Sequence, residues 1–145
     1  MSFIIKQKTA DFVVEEIAGF FVDDLLTDRK RYSYYCLEKD DISHFFVLKK
    51  VAAVLGVSVK DINYSGTKDK KAITIQYISV KGGSQFSGEI CAGVKLEFLG
   101  YSNSPLSLGS HKANKFTIVV RGLEKGKYGL NEKMLKFVNY FDSQR

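Results

Sequence analysis

Apolar and polar positions alternate with a period of two along residues 72–80, where Ile73, Ile75 and Tyr77 are interleaved with Thr74 and Gln76. Successive side chains of a strand point to opposite faces, so this run predicts a strand with one apolar and one polar face. Residues 32–38, 94–101 and 115–121 are dense in aromatic and β-branched side chains and predict three more strands, and 61–64 a short one. Residues 3–8 and 12–17 read as extended pieces broken at Thr9-Ala10-Asp11, a hairpin or a bent strand. The period then changes. Ser43 caps a predicted helix whose apolar positions Phe46, Leu48, Val51, Ala52 and Leu55 form one broad face, with Gly56 near its end. This helix is expected to cover one side of the sheet, and Asn131 opens a second helix through Met134, Leu135 and Phe137. Gly82, Gly83, Gly88 and Gly93 mark connections, and there is no internal repeat or low-complexity tract. Together these elements predict one α+β unit, a mixed, mostly antiparallel sheet with helices packed on it.

At 145 residues the chain suits one domain, able to bury roughly two-thirds of its unfolded surface. No run of about 18 apolar residues suggests a membrane span, and the start lacks a basic segment followed by an apolar stretch. Twenty-two Lys and Arg against sixteen Asp and Glu give a net charge of +6, which favours a polyanionic partner. Cys36 and Cys91 lack paired zinc-ligand spacing and read as two buried thiols, with a reducing cytoplasm as the expected setting. His44 and His111 have no carboxylate or Cys partner at recognisable spacing and read as solvated or capping residues.

The candidate chemistry lies in Tyr64-Ser-Gly-Thr-Lys-Asp-Lys-Lys-Ala-Ile-Thr-Ile-Gln76, between two strand-like runs. One carboxylate, Asp69, sits in a turn opened by Gly66, a residue able to take conformations that a side chain resists. Lys68, Lys70 and Lys71 surround it, attracting a phosphate backbone and favouring the ionised carboxylate. The segment lacks the second Gly followed by Lys and Ser or Thr of a P-loop, so nucleotide hydrolysis is not expected.

Three separated segments resemble the TruD family of RNA pseudouridine synthases. Residues 6–16 resemble the family's first motif, a lysine preceding Asp-Phe-x-Val-x-Glu, here Lys6 and Asp11-Phe12-Val13-Val14-Glu15-Glu16, with Thr9-Ala10 in place of Pro-Glu. The run Gly66-x-Lys68-Asp69-Lys70-x-Ala72-x-Thr74-x-Gln76 is similar to the catalytic motif at every characteristic position. Leu106-Ser107-Leu108-Gly109, followed by Asn114-x-Phe116 and Arg121, resembles the third, with Ala113 where glycine is usual. Asn139-Tyr140-Phe141-x-x-Gln144-Arg145 resembles a fourth signature, with Asp142 in place of glycine. By this resemblance residues 1–145 are the N-terminal portion of a pseudouridine synthase catalytic domain, whose remainder and inserted second domain are absent.

The resemblance implies isomerisation of a uridine within tRNA, breaking the bond from ribose C1′ to N1 and rejoining C1′ to C5, with no cofactor and no metal. Asp69 is the implied essential carboxylate, either a nucleophile toward the sugar or a base that removes a sugar proton. The uridine must leave the stack to be reached. Phe116 is the implied stacking platform, Asn114 and Phe12 hold the nucleotide, and Lys6 supports the charge near Asp69. Lys68, with Lys70, Lys71, Lys112 and Lys115, is read as a phosphate contact. The implied partners are tRNA and the missing C-terminal half, in cis or as a separate chain. A chain cut here is expected to leave an uncovered face and to self-associate. A noncatalytic RNA-binding module that retains the motifs is the alternative.

Overall fold

A computed structural model describes residues 4–68 and 70–122. The elements run β1 (Phe12–Ile17), β2 (Tyr32–Asp40), α1 (His44–Leu55), β3 (Ile62–Tyr64), β4 (Ile73–Lys81), β5 (Gly88–Cys91), β6 (Val94–Ser102) and β7 (Ala113–Ile118). The seven strands form one mixed, mostly antiparallel sheet in the order β5-β6-β2-β4-β1-β7, with β3 pairing β4 off this path. The α+β expectation holds, with α1 the one α-helix among the described residues. The second helix, expected from Asn131, lies outside them, as do the Asn139–Arg145 signature and Asp69.

Ser43 occupies the N-cap position of α1 without a side-chain cap bond, and Gly56 ends the helix in the left-handed conformation at φ 65°. The apolar stripe of α1 buries Val47, Leu48, Val51, Ala52 and Leu55 against Tyr35, Leu37, Ile78, Val80, Val94 and Leu96 of the sheet. Strand β5 was not anticipated. Its four residues, Gly-Glu-Ile-Cys, carry too little periodicity to separate them from the glycine connections around them, yet they pair with β6.

The alternation in β4 is real, but its sense is inverted. Thr74 and Gln76 are fully buried on the α1 face, whereas Ile73, Ile75 and Tyr77 are half-buried on the opposite one. Lys39 of β2, paired with Thr74, is likewise fully buried. A polar row inside the sheet costs free energy unless it is used, which marks this end of the face as more than core.

The topology also explains where the loop between β3 and β4 must go. Strand β1 runs parallel to β4 along Ile73–Ile75, while β3 pairs antiparallel along Ile78–Val80 of the same edge. Because β1 fills the edge that the returning chain would otherwise use, residues 65–68 are lifted over the sheet face, where Lys68 meets Glu16.

Asp11 and Arg121 tie the first and third motifs together. The guanidinium Nε and a terminal nitrogen donate to the two carboxylate oxygens at 2.8 and 2.6 Å. This bidentate contact, ahead of the opposing effect of burial, lowers the Asp11 carboxyl from 3.8 to about 2. A carboxylate with a depressed folded-state value adds stability that is complete above about 3.8 and lost as pH falls through about 2. The difference in urea midpoint between wild type and Asp11→Asn is expected to be constant above about pH 5 and to close between about pH 4 and 2.

Candidate active site

The site assembles where the lifted loop meets β1 and β7. Glu16 on β1 lies opposite Asn114 on β7, and Val14 lies opposite both Phe116 on β7 and Thr74 on β4. These side chains share the α1 face. Lys68 comes down onto them from the loop: its ammonium lies 3.1 Å from a carboxylate oxygen of Glu16, the two side chains being 6% and 1% exposed. The same ammonium donates to Asn114 Oδ1 at 2.5 Å, and Asn114 Nδ2 lies 3.4 Å from His111 Nε2. Lys68, read from charge as a phosphate contact, is therefore turned inward and anchors the residue that precedes Asp69.

Phe12 and Phe116 meet on the same face with ring centroids 6.0 Å apart and planes inclined at 55°. Phe12 is half-buried, whereas Phe116, on the last strand of the sheet order among the described residues, is 56% exposed. The Lys6 ammonium sits 3.8 Å from the Phe12 ring centroid, a cation–π contact. Its backbone is in the left-handed region at φ 57°, uncommon for lysine and a mark of a constrained position. Lys6, Lys8 and Lys71, with Gln7, Thr9 and Asp41, line a small polar pocket of about 170 Å³.

The third motif seats the loop. Gly109, at φ 78°, donates its N–H to the Ser65 carbonyl at 2.8 Å, and the Leu106 N–H donates to Ser79 Oγ at 2.8 Å. Gly66 is not at positive φ, and a Cβ there would make ordinary contact with His111 at 3.8 Å, so the conformational freedom that glycine offers is not used.

Three sequence expectations are corrected. Cys36 and Cys91 are free and only half-buried, both on the sheet, with Cys91 packed against the edge of the core. Burial first, then Glu97, Glu38 and Glu16, raises the Cys36 thiol to about 11 and keeps it protonated and unreactive. His111 bonds Asn114 rather than solvent. His44 is 5% exposed in the first turn of α1, edge-on to Tyr64 with centroids 4.7 Å apart, and neither ring nitrogen has a hydrogen-bond partner among the described residues.

Burial, followed by the charges of Lys39 and Lys68, lowers the His44 pKa from 6.5. Unfolded chains then bind a proton that the folded protein resists, so stability is complete above about pH 6.5 and falls as pH drops below it. His44→Phe is expected to keep the fold and to flatten the decline in urea midpoint between about pH 6.5 and 5.

Glu16, Thr74 and Gln76 have no role assigned from sequence, and His111 only a solvated or capping one. Thr74 Oγ1, both side-chain polar atoms of Gln76 and His111 Nδ1 are buried without hydrogen-bond partners among the described residues. Motif membership of Glu16, Thr74 and Gln76 was the available signal. Periodicity pointed the other way, because it places polar β4 residues outside.

A mixed, mostly antiparallel sheet with Lys68 anchored on one face, beside an exposed phenyl and a tethered amide, fits the fold of a pseudouridine synthase catalytic domain. The sequence model of the family described as tRNA pseudouridine synthase D (TruD) matches residues 1–145, and the chain belongs to that family. It is similar to tRNA pseudouridine synthase D of Aquifex aeolicus, 34% identical over 156 residues covering 100% of this chain and 40% of that protein. The Probable tRNA pseudouridine synthase D 2 of Methanocaldococcus jannaschii is 38% identical over 148 residues, 97% of this chain and 33% of that one. A crystal structure assigned to TruD from Methanosarcina mazei superposes with a TM-score of 0.66 at 28% identity, over 77% of this chain and 25% of that chain. The chain thus spans 40% or less of the length of these relatives.

Proposed function

We propose that this chain supplies the Asp69 half of a site that isomerises a uridine in tRNA to pseudouridine, working in the cytoplasm together with the length of catalytic domain that its relatives have and it does not span. The observation that carries this reading is convergence: Lys68 of the central motif, Glu16 and Phe12 of the first, and Asn114 and Phe116 of the third meet on one patch of sheet. Motifs kept only for folding have no reason to leave a phenyl open beside a buried ion pair.

In this reading Asp69, ionised among lysines, acts on the ribose of a uridine turned out of the stack, and Phe116 receives the base. Stacking on an aromatic side chain contributes about 1–3 kcal/mol, which helps offset the cost of leaving the stack. Phe12 and Lys6 buttress that ring, while Lys8, Lys70 and Lys71 contact phosphates and position RNA without reading its sequence. No metal or cofactor enters the scheme. The half-buried face of Ile73, Ile75 and Tyr77 is the surface that the rest of the domain would cover, and its exposure in this chain alone would drive self-association.

The test is pseudouridine formation in a tRNA transcript, comparing residues 1–145 alone, residues 1–145 supplied with the remainder of the domain, and the full-length protein. Product is expected only in the last two. Absence of product from the full-length protein, with RNA binding intact, would replace the enzyme by a noncatalytic module.

A further inference from the structure

We propose that the pocket between β3 and residues 105–108 is a second nucleobase subsite, holding an RNA base that flanks the uridine in the chain. The inference rests on the pseudouridine synthase reading for the nature of its ligand, and it adds a site that the catalytic patch does not contain.

The pocket has a volume of about 440 Å³, with Ile62 and Tyr64 of β3 on one side and Pro105, Leu106 and Leu108 on the other. None of the lining side chains is charged, so this is no seat for a phosphate; Asn63, Tyr64 and Ser107 bring the only polar side-chain atoms to it. Mostly apolar walls with a few polar groups suit a flat ligand whose faces are apolar and whose edge carries donors and acceptors, which describes a nucleobase. Leu108 is 77% exposed, the most exposed large apolar side chain among the described residues. A turn holds it there. The Ser110 N–H donates to the Ser107 carbonyl at 3.1 Å, and Gly109 takes φ 78°, the left-handed conformation that the third place of such a turn favours. A leucine displayed on a fixed turn beside an open pocket is a surface made to be covered.

Continuity with the candidate active site identifies the occupant. The two walls are the segments that seat the loop: Gly109, next to Leu108, donates its N–H to the carbonyl of Ser65, next to Tyr64, at 2.8 Å. Tyr64 pairs with Ile78, which lies under α1, so its side chain is on the face that carries the site. From Ser65 the surface leads on through Gly66, against which His111 packs, and His111 Nε2 lies 3.4 Å from Asn114 Nδ2. Asn114 shares its face of β7 with Phe116. The pocket and the exposed phenyl thus lie along one track. Turning a uridine out of a stacked chain strips its neighbours of a stacking partner, and an apolar cleft farther along that track offers one of them a replacement.

The experiment uses the full-length protein and tRNA transcripts in which each of the three nucleotides on either side of the converted uridine is replaced in turn by an abasic residue. Filter binding reads the affinities. At one position the loss is expected to be about tenfold or more, the effect of removing a stacked base. Leu108→Ser, at an exposed position, should cost the unaltered transcript a similar factor and the transcript abasic at that position less than about twofold. Losses that add at every position overturn the proposal. A fall in the urea midpoint of Leu108→Ser with unchanged RNA affinity also overturns it, assigning the pocket to the remainder of the domain. Should the protein bind tRNA without converting any uridine, the scan covers the nucleotides it protects from nuclease. Coupling to Leu108 there keeps the subsite while the enzyme reading falls; no coupling, or no binding of tRNA, removes both.

Discussion

In the full-length protein, Asp69→Asn is expected to slow pseudouridine formation by roughly 10³-fold or more while leaving tRNA affinity within about threefold. Asparagine has the shape of aspartate and can accept a hydrogen bond through its carbonyl oxygen, so the loop should keep its path. What disappears is the negative charge and the basic, nucleophilic oxygen. Both candidate routes, attack on the sugar and removal of a sugar proton, need an ionised oxygen and fail together in this variant. Binding should survive because the proposal draws the phosphate contacts from lysines and the stacking surface from Phe116, none of which the substitution touches. Single-turnover conversion measured alongside filter binding of the same transcript separates the two quantities. Comparable losses in rate and affinity would assign Asp69 to binding, and an unchanged rate would remove it from the chemistry.

The surrounding architecture was legible in the chain to different depths. Strands rich in Tyr, Ile and Val were readable because β-branched and aromatic residues both favour and fill a pleated surface, and β1, β2, β4 and β6 lie close to where that density placed them. The facing of β4 was not. A period of two gives the alternation and not its sense, and burial tendencies then assign the apolar set to the interior. Here α1 packs on the face that also carries Thr74, Gln76, Lys39 and Glu16, so the polar set is inside.

That inversion fits the proposed site. In the proposed reading the face beneath the loop must carry charged and amide groups, and Lys68 is held by such groups from β1 and β7. The motif residues were legible as a set, because Lys68, Asn114 and Phe116 stand at characteristic positions. Their division of labour was not, since lysine reads as surface charge until a buried Glu16 is found within 3.1 Å. The pairing of Asp11 with Arg121 joins residues 110 positions apart, a separation at which spacing carries no information.

Lys68→Met is expected to destabilise the full-length protein by about 3–5 kcal/mol, the characteristic cost of leaving a buried carboxylate without its counter-charge. Glu16 has little else to turn to: besides Lys68 it accepts only a long 3.5 Å bond from the Tyr77 N–H among the described residues. Replacing both partners, Glu16→Leu with Lys68→Met, should recover most of that loss and bring stability within about 1–2 kcal/mol of wild type, because two apolar side chains of similar volume carry no desolvation penalty. Urea denaturation of the four proteins of this cycle measures the coupling directly. A cost below about 1 kcal/mol for Lys68→Met alone would show that water reaches the pair. The double variant also distinguishes stability from positioning. It should fold and yet form product poorly, since nothing then anchors the residue before Asp69 to the sheet or aims the Asn114 amide. Full activity in that stable double variant would mean that the loop finds its place without the ion pair.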